Sequence, residues 1–246
     1  MRALVSAIGY CETTGRRLIV DWPRFGQGIT DENNLFLAKM HDIWKHPYEE
    51  QDCGYDILSK SFVLGVDEDE QVIRTCSPET FQPWKFNLPL SEYANRLIPS
   101  EEVQQRIDHV SIPDGCIGVH IRYTIRQSMT EHPEWYAAQI MQLDAPIFLS
   151  ADAKCVEDYI RKVRPDVIVQ EKDYRYDRQG IIGSAADLYL LAQCDRMIGA
   201  YSSSYSQMAS WMLSGGPEPS EWLSGVDYSK HQNWIVGSRY RDSRNA

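Results

Sequence analysis

A histidine and an arginine stand two positions apart in the segment Gly118–Thr124, as His120 and Arg122. Because side chains alternate between the two faces of a strand, this spacing predicts that both project from the same face. Arginine presents a planar fork of donors and stays charged, so Arg122 can neutralise a diphosphate without a metal ion, and Arg126 can add a second charge. The same spacing also fits a structural arrangement, in which the arginine pairs with a carboxylate and the histidine bonds within the fold.

Three serines follow an apolar segment that ends at Gly199. They are Ser202, Ser203 and Ser204, and a predicted helix begins just after them, near residue 206. The start of a helix offers unpaired N–H groups and a positive dipole end, to which serine hydroxyls add further donors. The run therefore predicts an anion site. The alternative is an ordinary N-cap, for which one serine is enough.

Two aspartates complete the set of candidate binding residues. Asp187 is predicted in the first turn of a helix capped by Ser184, where the helix dipole stabilises a carboxylate without any ligand. Asp152 follows a predicted strand, where it either contacts a ribose or caps the next helix.

The elements that position these residues alternate between strand and helix after residue 115. Such alternation predicts an α/β fold with a parallel sheet and helices on both faces, and ligands in such sheets bind at the carboxyl ends of the strands. The periodicity predicts strands at 117–121, 147–149, 167–169 and 197–199, and helices at 135–143, 156–163, 185–192 and 206–213.

The first part of the chain gives a weaker pattern. A helix is predicted from Arg2 to Tyr10 and ends at Thr14-Gly15, and a short apolar strand follows at 18–20. Glycine and proline then interrupt the sequence as far as about residue 113, and no element is assigned there. The simplest organisation is two α/β lobes joined near residue 110, with domains at 1–110 and 111–246.

The composition excludes several classes of protein. Among 246 residues, 25 are Lys or Arg and 35 are Asp or Glu, and the net charge of −10 disfavours nucleic acid as a partner. The six cysteines lack metal-ligand spacing, so we expect structural or free thiols and no metal site. No run of roughly 18 apolar residues is present, and the first residues lack the pattern of a secretory signal, so we expect a cytoplasmic protein without a transmembrane segment. The P-loop, dinucleotide-binding and nucleophile-elbow motifs are also absent from the sequence.

Taken in order, the motifs resemble those of the fucosyltransferase superfamily, which includes α1,6-fucosyltransferases, the nodulation-factor fucosyltransferase and protein O-fucosyltransferases. The N-terminal passage 7–22 is similar to the nodulation enzyme's sequence of helix, T-G-R, strand and D-W. The matching elements are His120-Ile121-Arg122-Tyr123, Ser150-Ala151-Asp152, Asp187, Cys194-Asp195-Arg196-Met197 and Ser202-Ser203.

The resemblance implies a GT-B-like pair of Rossmann-type lobes that transfers fucose with inversion from GDP-fucose to a glycan or lipid-linked oligosaccharide, without metal or cofactor. By position, Arg122 would bind the diphosphate and act in catalysis. His120 and Asp187 would bind the guanosine portion, and Ser202 with Ser203 the β-phosphate. This agrees with the residue chemistry, because a preorganised arginine and a helix start stabilise the charge that develops on departing GDP.

The sequence also departs from the family pattern. Tyr123 stands in place of the family's second arginine, so the acceptor and linkage stay open. The glycine-rich loop that precedes the first helix in the family is missing, because the sequence starts inside that helix at Met1. We expect either a start further upstream or a truncated relative with impaired activity. Two alternatives to an active enzyme are a non-catalytic module that binds a nucleotide sugar or glycan and an unrelated α/β enzyme. The candidates for a general base are Glu12, Asp21 and Asp56.

Overall fold

The computed structural model describes residues 2–15, 17–20, 44–45, 49–50, 90–123, 133–174, 177–200, 203–213, 222–223 and 237–238. The helices in this part of the chain are α1 (Arg2–Thr14), α2 (Leu90–Ala94), α3 (Glu101–Asp108), α4 (Pro133–Ile140), α5 (Lys154–Val163), α6 (Arg178–Gln193) and α7 (Ser204–Met212). The strands are β1 (Ile19–Val20), β2 (Trp44–Lys45), β3 (Glu49–Glu50), β4 (Ile98–Pro99), β5 (Ile117–Ile121), β6 (Ile147–Ala151), β7 (Arg196–Ile198), β8 (Trp222–Leu223) and β9 (Gly237–Ser238).

A parallel sheet of three strands, in the order β6-β5-β7, organises the second half of the chain. In its register His120 of β5 lies beside Ser150 of β6. The strand predicted at 167–169 is reduced to an isolated parallel bridge between Ile168 and Phe148. Shorter two-stranded pairs are formed by β1 with β3, β2 with β4, and β8 with β9.

Helices cover both faces of this sheet, which confirms the predicted architecture. Ile117, Val119 and Ile121 share a buried cluster with residues of α4 and α5. Gly118 and His120, which alternate with them, face α6 and α7. Phe148 of β6 and Met197 of β7 belong to the other buried cluster, on that same side. Alternation with a period of two therefore separates the apolar face of β5 from the face that carries His120.

Helix α6, with ten buried residues, is the most extensively buried helix in the described part of the chain, and it differs from its prediction. It begins at Arg178, after Asp177, whose side chain accepts a hydrogen bond from the Gly180 amide at 2.9 Å. The prediction that Ser184 caps this helix is wrong. Ser184 lies in the second turn and donates to the Gly180 carbonyl at 2.9 Å. The early glycines made the first turns resemble a loop, but burial of the helix outweighs their helix-propensity cost of about 1 kcal/mol each.

Helix α1 confirms the prediction for the start of the chain. It ends at Thr14, and Gly15 follows with a φ of +69°, a left-handed conformation that suits glycine. Leu4, Val5 and Ile8 of α1 pack in the same buried cluster as residues of α6 and α7. The domain boundary near residue 110 stays a prediction. No helix of the described part of the chain is long and apolar enough to cross a membrane.

Candidate functional site

His120 ties the carboxyl end of β5 to the beginning of α7. Its side chain is buried, and Nδ1 lies 2.6 Å from the hydroxyl of Ser206. The same hydroxyl accepts a hydrogen bond from the Ala200 amide at 3.1 Å. The ring of Tyr205 lies against the imidazole, with 4.7 Å between the ring centroids. The predicted strand histidine and the predicted anion-binding helix therefore meet at one edge of the sheet.

Arg122 lies just beyond β5 and is half-buried. Within the described ranges it forms no ion pair with a carboxylate. The pKa of His120 is lowered to about 3. Burial is the main cause, and the positive charges of Lys172 and Arg122 add to it. The imidazole is therefore uncharged at neutral pH, while the guanidinium beside it is not paired with a described acid.

The serine run has divided roles at the start of α7. Ser203 is the N-cap, and its buried hydroxyl accepts from the Ser206 amide at 3.4 Å. Ser204 is the first residue of the helix, two positions earlier than predicted. Ser202 and Arg126 lie outside the described residues. The expected N-cap is therefore present at Ser203, and the role of the three serines in anion binding stays a prediction.

Asp187 lies in the middle of α6, so the prediction that it occupies the first turn is wrong. Its carboxylate is 1% exposed. Oδ2 accepts a hydrogen bond from the Ser150 hydroxyl at 2.8 Å and forms an ion pair with the Lys172 ammonium group. Burial raises the pKa of Asp187, against the opposing effects of Lys172 and Ser150. The other oxygen, Oδ1, is buried and has no hydrogen-bond partner among the described residues. The cation and the hydroxyl, not the helix dipole, stabilise this carboxylate.

Sequence reasoning missed Lys172, whose side chain is only 6% exposed. Its close approach to α6 depends on Gly183, because a Cβ at that position would lie 2.8 Å from the Cβ of Lys172. Nearby, Tyr174 donates a hydrogen bond to the buried Glu157. Burial is the main reason why the pKa of Tyr174 is raised, and the Glu157 carboxylate is the second. No local sequence pattern singles out Lys172, because its pairing with α6 arises from packing between distant segments.

Asp152 holds the ends of two strands together. Its carboxylate accepts from the Tyr123 amide at 2.6 Å, and its own amide donates to the Ile121 carbonyl at 3.3 Å. The alternative that Asp152 caps the next helix is wrong, because the N-cap of α5 is Ala153. Contact of Asp152 with a ribose stays a prediction.

Metal-ligating groups do not cluster in the described ranges, where no set of three His, Cys, Asp or Glu side chains is placed to hold an ion. Cys11, Cys116, Cys155 and Cys194 are free thiols, as expected, and the other two cysteines lie outside those ranges. Among the candidate bases, Glu12 pairs with Arg96 at 2.6 Å on the surface. The remaining two, Asp21 and Asp56, are outside the described residues.

Comparison with known proteins shows what this chain is similar to. No family model matches the chain. Nodulation protein Z of Azorhizobium caulinodans is 26% identical over 80% of this chain and 80% of its own length. This similarity supports assignment of the chain to the fucosyltransferase superfamily. The predicted resemblance is thereby confirmed, and this chain is homologous to a glycosyltransferase.

Solved structures agree with the assignment at the level of the fold. Fucosyltransferase NodZ from Bradyrhizobium has a TM-score of 0.53 and 19% identity, covering 84% of this chain and 86% of that one. A NodZ α1,6-fucosyltransferase soaked with GDP-fucose has a TM-score of 0.51 and 19% identity, covering 85% and 87%.

The superfamily's motif residues meet on one side of the sheet. His120 and Ser150 are neighbours in the register, Ser150 bonds to Asp187, and His120 bonds to the first turn of α7. The motifs at His120, Ser150 and Asp187 and the start of α7 are thus connected by one strand pairing and two hydrogen bonds.

Proposed function

We propose that this chain is an inverting, metal-independent glycosyltransferase of GT-B-like fold that moves fucose from GDP-fucose to a hydroxyl of a glycan or lipid-linked oligosaccharide. The observation that carries the proposal is the 2.6 Å contact between His120 and Ser206. It brings the strand that leads to Arg122 against the N-terminus of α7. Two sources of positive potential therefore lie at the same edge of the sheet, where a pyrophosphate needs them.

The chemistry of this reaction explains why such an edge serves catalysis. When the sugar–phosphate bond breaks, negative charge grows on the β-phosphate of GDP. Arg122 stabilises that charge in the transition state, and so do the amides at the start of α7. Ser202, Ser203, Ser204 and Arg126 supplement this anion site, and no divalent ion is required.

The guanosine portion is assigned to the neighbouring polar side chains. Asp187 and His120 are assigned to the guanosine portion by their positions in the motifs, and His120 is an uncharged donor or acceptor. Asp152 is assigned to the ribose. These roles follow the positions of the superfamily's motifs, and the acceptor and linkage are left open.

Thermal stabilisation by GDP in the presence of EDTA tests the donor site. We expect a concentration-dependent rise in Tm for the wild type, and its loss in Arg122→Ala. Arg96→Ala is a matched control, because Arg96 lies on the surface, where it pairs with Glu12 and Glu92 and its guanidinium lies 4.7 Å from the centre of the Tyr93 ring. A shift that survives in Arg122→Ala would contradict the assignment of the diphosphate.

Release of GDP from GDP-fucose, measured with and without acceptor glycans, then tests the reaction. Turnover supports the transferase. Binding without turnover would favour a nucleotide-sugar-binding module, and the absence of both would favour an unrelated α/β enzyme.

A further inference from the structure

We propose that Ser206 is a positioning residue that places the single ring proton of His120 on Nε2, so that Nε2–H donates to an oxygen of the nucleotide-sugar donor. The proposal rests on the function proposed above. Ser206 itself is assigned no contact with the ligand and acts through the histidine.

The direction of the hydrogen bonds follows from counting donors at Ser206. A backbone N–H only donates, so the Ala200 amide must occupy one lone pair of the Ser206 oxygen, at 3.1 Å. The second contact of that oxygen is His120 Nδ1 at 2.6 Å. The described part of the chain offers the Ser206 hydroxyl proton no other acceptor, and Ser206 is 0% exposed. Donation to Nδ1 is the arrangement that leaves every one of these buried groups satisfied.

The histidine carries one proton, and this fixes where that proton lies. Burial, together with the charges of Lys172 and Arg122, keeps the imidazole uncharged at neutral pH. Because Nδ1 accepts from Ser206, the remaining proton belongs to Nε2. The chain of donation therefore runs from Ala200 through Ser206 to His120.

The Nε2 atom is left free to meet a ligand. Within the described ranges Nε2 makes no hydrogen bond. It is also absent from the set of fully buried side-chain atoms that lack a partner, so it is not completely enclosed. The Tyr205 ring, at 4.7 Å and tilted by 38°, limits rotation of the imidazole. A donor at Nε2 suits an oxygen that can only accept, such as a carbonyl oxygen of the base or a phosphate oxygen, to which the other tautomer would present a repelling lone pair. A ribose hydroxyl can bond to either tautomer.

The test uses the full chain labelled with ¹⁵N-histidine, with the His120 signals identified by their loss in His120→Asn. We expect wild-type His120 to show a protonated Nε2 and an unprotonated Nδ1 at neutral pH. In Ser206→Ala we expect a mixture of tautomers and an affinity for GDP lower by roughly tenfold. Ser210→Ala is the matched control, because Ser210 is also a buried serine of α7 but bonds to the Gln207 carbonyl.

The outcomes separate this proposal from the proposed function. If the wild type does not bind GDP, the donor site is wrong, while the tautomer measurement still tests the role of Ser206. A wild-type His120 protonated on Nδ1 overturns the proposal, even if Ser206→Ala does not fold. It is also overturned if Ser206→Ala folds and keeps both the wild-type tautomer and the wild-type affinity. Ser206→Thr retains the hydroxyl and should restore the wild-type signals.

Discussion

Lys172 and Asp187 form an ion pair in which the two side chains are only 6% and 1% exposed. Two buried charges of opposite sign are each costly without the other, because neither can be solvated. The pair joins the segment after Ile168 to the middle of α6, and Ser150 extends it to β6.

Removing the lysine should therefore destabilise the protein strongly. We expect Lys172→Met to lower the free energy of unfolding by about 3–5 kcal/mol, since it leaves an uncompensated buried carboxylate. The double variant Lys172→Met/Asp187→Asn should lose less than the sum of the two single variants. Urea unfolding of the four proteins measures this, and simple additivity would show that the two residues are not coupled.

The same variant should show a distinct pH dependence. Burial already raises the pKa of Asp187, and removal of Lys172 raises it further. A carboxyl group with a raised pKa binds its proton more tightly in the folded state, so stability falls as pH rises from the unfolded value towards the folded one. Lys172→Met should thus be less destabilised at about pH 5 than at about pH 8. A destabilisation independent of pH would contradict this account.

His120 should produce the opposite slope. Its pKa is lowered from 6.5 to about 3, so between these pH values His120 is protonated in the unfolded chain and unprotonated in the folded chain. The wild type should lose stability as pH falls from about 6.5 towards 3, by up to about 1.4 kcal/mol per pH unit from this group. In His120→Gln this contribution should vanish, while the slopes above about pH 7.5 stay equal. Chemical unfolding across the pH range measures the difference between the two proteins.

Arg122 should be sensitive even to a change that keeps its charge. Lysine lacks the planar fork, so we expect Arg122→Lys to retain part of the GDP binding and to lower kcat by roughly 10²–10³-fold. GDP release at saturating GDP-fucose measures this, with Arg161→Lys, at an exposed position of α5, as the control. An unchanged kcat in Arg122→Lys would show that the planar guanidinium of Arg122 is not needed in the reaction.

The contact at Gly183 should tolerate no added carbon. A Cβ there would approach the Lys172 Cβ to 2.8 Å, so Gly183→Ala must displace one segment and should cost about 1–3 kcal/mol. Ser184→Ala, at the exposed neighbouring position of the same helix, should change stability much less. Thermal unfolding distinguishes the two variants, and equal Tm values would show that the segments separate without cost.

The sequence predicted the features that depend on local periodicity. Alternating apolar residues located β5, and the serine run located the start of α7, because strand faces and helix caps are encoded within a few residues. The sequence did not predict the beginning of α6, where glycines in a buried helix resemble those of a loop. Nor did it predict the pairing of Lys172 with Asp187 or of Ser206 with His120, because packing between distant segments creates those contacts.

The path of the chain through the sheet also explains where a ligand finds room. From β5 the chain first adds β6 on one side, by way of α4, and later returns to add β7 on the other side after α6. Strands added in opposite directions from β5 make its carboxyl end a topological switch point, where ligands of open α/β sheets bind, so we expect the donor there. Such a binding crevice would follow from the order of the strands and not from any one side chain. We therefore expect substitutions around it to change what is bound while the crevice itself persists.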